Sequence, residues 1–137
     1  MSENLSLTRS GRQYPLVAAV RISGADLASA AIVSIPVPPN TLLLRGQIYV
    51  ITADGGTAPT VNVGISNTAE TDPDEHLANG AIGVAGATVP LALKLTAYYP
   101  EKTDITVAYG TGTPDNASDL LLILEYGVLE RSNEVYD

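Results

Sequence analysis

TLLLRGQIYVIT, residues Thr41 to Thr52, is the longest stretch of the chain that reads as one strand, and its even positions Leu42, Leu44, Ile48 and Val50 form an apolar set. The opposite positions are apolar as well: Leu43, Tyr49 and Ile51 point the other way. Because side chains alternate across a strand, such a segment has one face for its own core and a second that needs another cover. Gly46 marks a candidate bulge within it. Immediately upstream, Pro38-Pro39-Asn40 forces a turn, since two fixed φ angles and two missing N–H donors end ladder pairing.

The same alternation recurs on both sides of this segment. Tyr14 to Ser23 places Leu16, Ala18, Val20 and Ile22 on one face, and Ala31 to Val37 carries Val33 and Ile35. After the Asp54-Gly55-Gly56 turn, Val61, Val63 and Ile65 alternate within Thr60 to Ser66. Asn67 to Glu75 reads as a polar loop and Leu77 to Gly86 as a weak strand or irregular crossing. Thr88 to Leu95 sets Leu91, Leu93 and Leu95 on one side, with Pro90 suggesting an edge. Asp104 to Tyr109 alternates through Ile105, Val107 and Tyr109, and Asp119 to Leu129 contains the unbroken run from Leu120 to Leu124. Short strands punctuated by Pro and Gly, with helix a minor component, predict an all-β fold: an eight-stranded jelly-roll, a double-sheet β-sandwich, with a looser Greek-key sandwich as competitor.

The chain has 137 residues, which suits one domain: an N-terminal arm over 1–13, a β domain over 14–129 and a polar tail over 130–137. With no Cys, disulfides, thiolate metal sites and thiol nucleophiles are excluded together. The opening MSENLSLTRSGRQ has no apolar run behind a basic start, so neither a secretory signal nor a membrane anchor is expected, and synthesis in the cytoplasm is. The net charge of −8 argues against a nucleic-acid partner, whose phosphates call for basic side chains. Charge is uneven, because residues 1–50 hold Arg9, Arg12, Arg21 and Arg45 against Glu3 and Asp26. A basic leading segment and an acidic body suit neighbours of opposite sign, or simply keep the chain soluble.

Chemistry is sparse. The one histidine, His76, stands in TDPDEH behind Asp72, Asp74 and Glu75. A cupin-type metal centre needs several converging imidazoles, and a Ser-His-Asp arrangement would come without any Gly-x-Ser-x-Gly elbow. The acids are hard oxygen donors, but the calcium-loop pattern lacks its glycine and its terminal glutamate, so a hydrated acidic loop is the expectation and an ion the alternative. Gly110-Thr-Gly112-Thr-Pro114 lacks the lysine of a phosphate loop and reads as a hairpin connection. No catalytic residue, metal ligand or cofactor is assigned, and no enzyme is expected.

What the chain offers instead is apolar surface. Leu120, Leu122, Leu124, Tyr126 and Val128 fill one face of the last strand while Leu121 and Ile123 lie on the other, as Leu43, Tyr49 and Ile51 do on the strand over 41–52. Either the arm or a long loop covers these residues, or a protein partner does. Seven tyrosines with no other aromatics, among them Tyr98 and Tyr99, suit the rim of such a contact.

The succession SIPVPPNTLLLRGQIYVITADGGTAPTVNVGIS, the Ala97-Tyr98-Tyr99-Pro100 segment with Thr103 to Val107, and a final strand ending Glu125-Tyr126-Gly127 resembles the small jelly-roll capsid cement, or decoration, proteins of tailed-phage heads, such as that of a Bordetella podovirus. The resemblance spans roughly Tyr14 to Leu129 and is one of pattern, size and strand order. It implies a non-enzymatic virion protein on the capsid exterior that bridges neighbouring major capsid subunits by multivalent contacts, and a homo-oligomer, a dimer before a trimer. The arm, through Arg9 and Arg12, is the expected anchor on an acidic patch of the shell. The interface candidates are then Arg9, Arg12, Leu43, Tyr49, Ile51, Tyr98, Tyr99, Leu121 and Ile123. The rival is a carbohydrate-binding, lectin-like jelly roll using Tyr98 and Tyr99 as stacking rings.

Overall fold

The computed structural model describes residues 16–30, 32–93 and 97–129. The expected arm, the polar tail and Leu95 lie outside the described residues. Among the described residues there are nine strands: β1 (Leu16–Ser23), β2 (Val33–Val37), β3 (Thr41–Thr52), β4 (Thr60–Ser66), β5 (Thr71–Ala81), β6 (Thr88–Pro90), β7 (Tyr98–Tyr99), β8 (Thr103–Tyr109) and β9 (Asp119–Val128), with one short helix, α1 (Gly24–Ala30), between β1 and β2. One sheet runs β1-β9-β3-β6, with β7 also paired to β3; the other runs β2-β8-β4-β5, and every pairing is antiparallel. Apart from β4–β5 and β6–β7, which stay within one sheet, consecutive strands lie in different sheets, and the resulting strand order is that of a jelly roll, with the two-residue β7 added to the expected eight.

The core lies between the sheets. Ile48, Val50, Leu120, Leu122 and Leu124 of the first meet Val61, Val63, Ile65, Ile105 and Val107 of the second, all essentially without solvent contact. These β-branched and leucine side chains fill a pleated interior without any Phe or Trp.

Alternation holds wherever the register is unbroken. β1 pairs with β9 over eight successive positions, and Leu16, Ala18, Val20 and Ile22 turn inward as the spacing predicts. On β3 it fails at two points, the first near the start of the strand. Leu43 opposes Tyr126 and Arg45 opposes Glu125, so Leu44 is an extra residue that reverses the faces beyond it. The bulge is thus at Leu44 and not at Gly46. Leu43, expected outward, is core at 4% exposure, whereas Leu44, expected inward, is exposed.

Two segments differ in kind from the sequence-based expectation. Ser23 and Asp26 form a capping box: Ser23 Oγ accepts from the Asp26 amide and Asp26 Oδ2 accepts from the Ser23 amide, both at 3.1 Å. This starts α1, which buries Leu27 against the core. TDPDEH, expected as a hydrated loop, opens β5 instead. Its ladder with β4 shifts twice, and between the pairs Ile65–Asp72 and Val63–Leu77 the residues Pro73 to His76 arch over Gly64. A Cβ on Gly64 would lie 2.0 Å from Asp72 O, so the close backbone approach requires glycine. The arch lets two successive residues, Glu75 and His76, both go inward, which a regular strand forbids.

Candidate interaction surface

On the outer face of the five-stranded sheet, register sets the neighbours. Arg21, Leu121 and Tyr49 stand side by side across β1, β9 and β3; next come Ala19, Ile123 and Gln47, then Val17, Glu125 and Arg45. The middle of this face is apolar: Leu121 and Ile123 are half-buried on the central strand, flanked by Val17 at 64% exposure and Tyr49 at 38%. Ile51, an extra residue at the second register shift of β3, is exposed beyond Tyr49. No described element lies over this surface.

Charge frames the apolar strip at opposite corners. Arg21 Nε donates to both carboxylate oxygens of Asp119 at 3.0 Å, and its Nη2 makes a further ion pair there. Arg45 Nε donates to Glu125 Oε1 at 2.6 Å. The hydrogen bond from Arg21 holds the Asp119 carboxyl below the usual range; desolvation opposes it, and the charge of Arg21 adds to the lowering. Beside the second pair a shallow depression of about 260 Å³ is lined by Val17, Arg45, Gly46, Gln47, Ile123 and Glu125. Exposed ion pairs of this kind contribute little to folding, so their value lies in orienting charge at the surface.

The candidates divide accordingly. Leu121, Ile123, Tyr49 and Ile51 come together on this face; Arg9 and Arg12 lie outside the described residues. Leu43 belongs to the core. Tyr98 is exposed at the β7 edge, its hydroxyl donating to Asn40 Oδ1 at 2.8 Å, but Tyr99 turns inward and is buried. The Tyr98–Tyr99 stacking platform is therefore reduced to one ring. Val17, Ala19, Gln47 and both ion pairs belong to the face and were not among the candidates; only cross-strand register brings them together.

The residues with reactive potential are engaged in structure. His76 is 1% exposed and its Nε2 lies 2.6 Å from Tyr99 Oη. Glu70, Asp72 and Glu75 bring one oxygen each within 4.8 Å of one another, so the acidic group capable of holding a cation includes Glu70 and leaves out Asp74. Asp54 is buried, its Oδ1 accepting the amides of Gly56 at 2.8 Å and Asp115 at 2.9 Å. Burial raises its pKa, but those amides outweigh it and hold the carboxyl below its usual value. It joins the loop after β3 to the loop before β9.

No protein-family model matches the chain, and no curated protein matches it significantly. Solved structures do. A chain in the capsid of Ralstonia phage GP4 is 22% identical, with 83% of this chain and 84% of that one covered at a TM-score of 0.61. A chain in the acid-stable capsid of Helicobacter pylori bacteriophage KHP30 is 12% identical over 82% and 86%, also at 0.61. A chain in the capsid asymmetric unit of cyanophage Pam1 is 11% identical over 82% and 81%, at 0.50. The double-sheet fold of this chain is therefore one that also occurs in chains of phage capsids.

Proposed function

We propose that this chain is a non-enzymatic structural component of a phage virion that binds the outer surface of the head and bridges neighbouring major capsid subunits. The observation that carries the reading is the outer face of the five-stranded sheet, apolar at its centre, charged at its corners and covered by no described element. Its fold likeness to chains of three phage capsids supports the assignment to a capsid. Attachment works by repetition: each copy contributes a modest apolar contact, and many copies on a closed lattice resist expansion together although a single contact is weak. The arm over 1–13, with Arg9 and Arg12, adds a basic reach toward acidic shell surface, and the protein is made in the host cytoplasm before it joins the exterior of the particle.

Burial of His76 in a hydrogen bond with Tyr99 supports a role without catalysis, since the one imidazole is withdrawn from any substrate. The inward turn of Tyr99 likewise leaves a glycan-binding reading without its two-ring platform. The test is to mix the purified protein with empty expanded heads, sediment them and image the pellet. Added density outside the shell at a fixed lattice position is the expected result; protein that stays in the supernatant at saturating concentration, or density inside the shell, overturns the reading.

A further inference from the structure

The two sheets have open edges, and three of the four sides carry features that discourage further pairing. β2 contains Pro36, β5 contains Pro73 and two register shifts, and β6 is three residues long and ends at Pro90, with only the two-residue β7 beside it. Prolines, bulges and short length are the usual protections of a sheet edge. β1 has none of them. It is eight residues long, runs in unbroken register, contains no proline, and carries a single charge, Arg21, already engaged by Asp119. Among the described residues it pairs only with β9, and its outward positions are Val17, Ala19 and Arg21.

We propose that β1 is a self-association edge: two copies of the chain pair antiparallel through β1 about a two-fold axis at Ala19, joining their five-stranded sheets into one continuous sheet. The register follows from side-chain direction and charge. Residues directly opposite in an antiparallel pair share a face, so only pairings that match outward with outward are allowed. An axis at Ala19 sets Ala19 against itself, Ala18 against Val20 and Val17 against Arg21 of the second copy. The two Arg21 side chains then stand four residues apart along the strand, about 13 Å. An axis at Val20 would bring them to about 7–8 Å, a like-charge diagonal, and an axis at Ala18 would leave the end of the strand unpaired.

Small side chains at the centre permit close approach, and Val17 packs along the aliphatic part of Arg21. The pairing also extends the apolar outer surface from Ile123 of one copy through both Ala19 residues to Ile123 of the other. This proposal stands independently of shell binding; if both hold, each dimer presents two attachment faces side by side.

The absence of native cysteine makes the test direct. In the full-length chain, Ala19→Cys places two thiols opposite one another with Cβ atoms about 4.5–5.5 Å apart, close enough to bridge with slight adjustment. Val17→Cys places them about 13 Å apart. Under mild oxidation the first variant is expected to form a covalent dimer and the second to remain uncrosslinked, while wild type sediments as a dimer and Ala19→Lys weakens self-association by about tenfold or more. Ala19 is exposed on the outer face, and a circular-dichroism spectrum and urea midpoint close to wild type establish that the lysine variant is folded. If Ala19→Lys unfolds, the crosslinking pair alone decides. A wild-type monomer at all concentrations, equal crosslinking from positions 17 and 19, or β1 amides protected from hydrogen exchange in the monomer by residues 1–15 would each overturn the proposal.

Discussion

Tyr99 Oη and His76 Nε2 lie 2.6 Å apart in the buried space between the sheets, one from β7 and the other from the arch of β5. In the Nδ1–H tautomer of the imidazole the phenol donates and Nε2 accepts, in the Nε2–H tautomer the roles reverse, and either way the bond clamps the short β7 segment to the opposite sheet. Tyr99→Phe leaves the imidazole without this partner, at an expected cost of about 1–3 kcal/mol. Urea denaturation of the two proteins at neutral pH measures it.

The same tyrosine sets an alkaline limit. Burial first, then the charges of Glu75 and Glu70, raise the Tyr99 phenol well above its ordinary value of 10.0. A raised pKa means that the folded state holds its proton where the unfolded chain releases it. The stabilisation is thus complete below pH 10 and declines as pH climbs through the folded pKa. Thermal scans from neutrality to strongly alkaline pH are expected to show wild type losing stability above about pH 10 more steeply than Tyr99→Phe.

Asp54 has the opposite sign. The amides of Asp115 and Gly56 keep its carboxyl below the ordinary 3.8 in spite of burial, so its contribution is present above the unfolded pKa and disappears as pH falls through the folded one. Asp54→Asn is expected to lower stability at neutral pH by about 1–3 kcal/mol and to flatten the acid limb of the stability curve. A parallel acid limb in the variant would place the proton uptake elsewhere.

Gly64 and Gly127 separate two roles of glycine. A Cβ at Gly64 meets Asp72 O at 2.0 Å and Pro73 C at 2.3 Å, whereas a Cβ at Gly127 meets nothing within 4 Å. Gly64→Ala must push β5 away from β4 and is expected to cost at least about 1–3 kcal/mol. Gly127→Ala is expected to leave the denaturation midpoint near wild type. A tolerated Gly64→Ala would mean that the arch over it yields easily.

These contrasts explain what was legible in the sequence. β1, β4, β8 and β9 could be read with their faces because their mutual ladders contain no extra residue, so period-two hydrophobicity maps directly onto in and out. β3 could be placed but not oriented throughout: Leu42, Leu43 and Leu44 are all leucine, and composition gives no sign of which one the bulge absorbs. The end of β5 fell within the weak strand expected from Leu77, but its first half was hidden because the ladder is broken twice and its burial depends on Gly64 of another strand rather than on an apolar pattern of its own. The candidate face was legible through Leu121, Ile123, Tyr49 and Ile51, whose apolar character has no local use. Its charged corners were not, since Arg21 and Asp119 are 98 positions apart and meet only through register.

The outer face yields the final prediction. Leu121→Asp and Ile123→Asp place a charge at the centre of the apolar strip and are expected to impair binding to empty heads more than folding, but both side chains are half-buried on the central strand and carry some risk to the fold. Val17→Asp and Tyr49→Asp carry less, because these side chains are exposed already and their removal opens no cavity. A buried apolar contact loses roughly 1.5–3 kcal/mol with each large side chain removed, so each of these variants should weaken attachment by about tenfold or more. Occupancy is measured by co-sedimentation, at salt concentrations that screen Arg21 and Arg45. If Val17→Asp and Tyr49→Asp bind as wild type while remaining folded, the face is not the contact; if the centre variants unfold while the rim variants bind normally, Leu121 and Ile123 serve this chain's own packing.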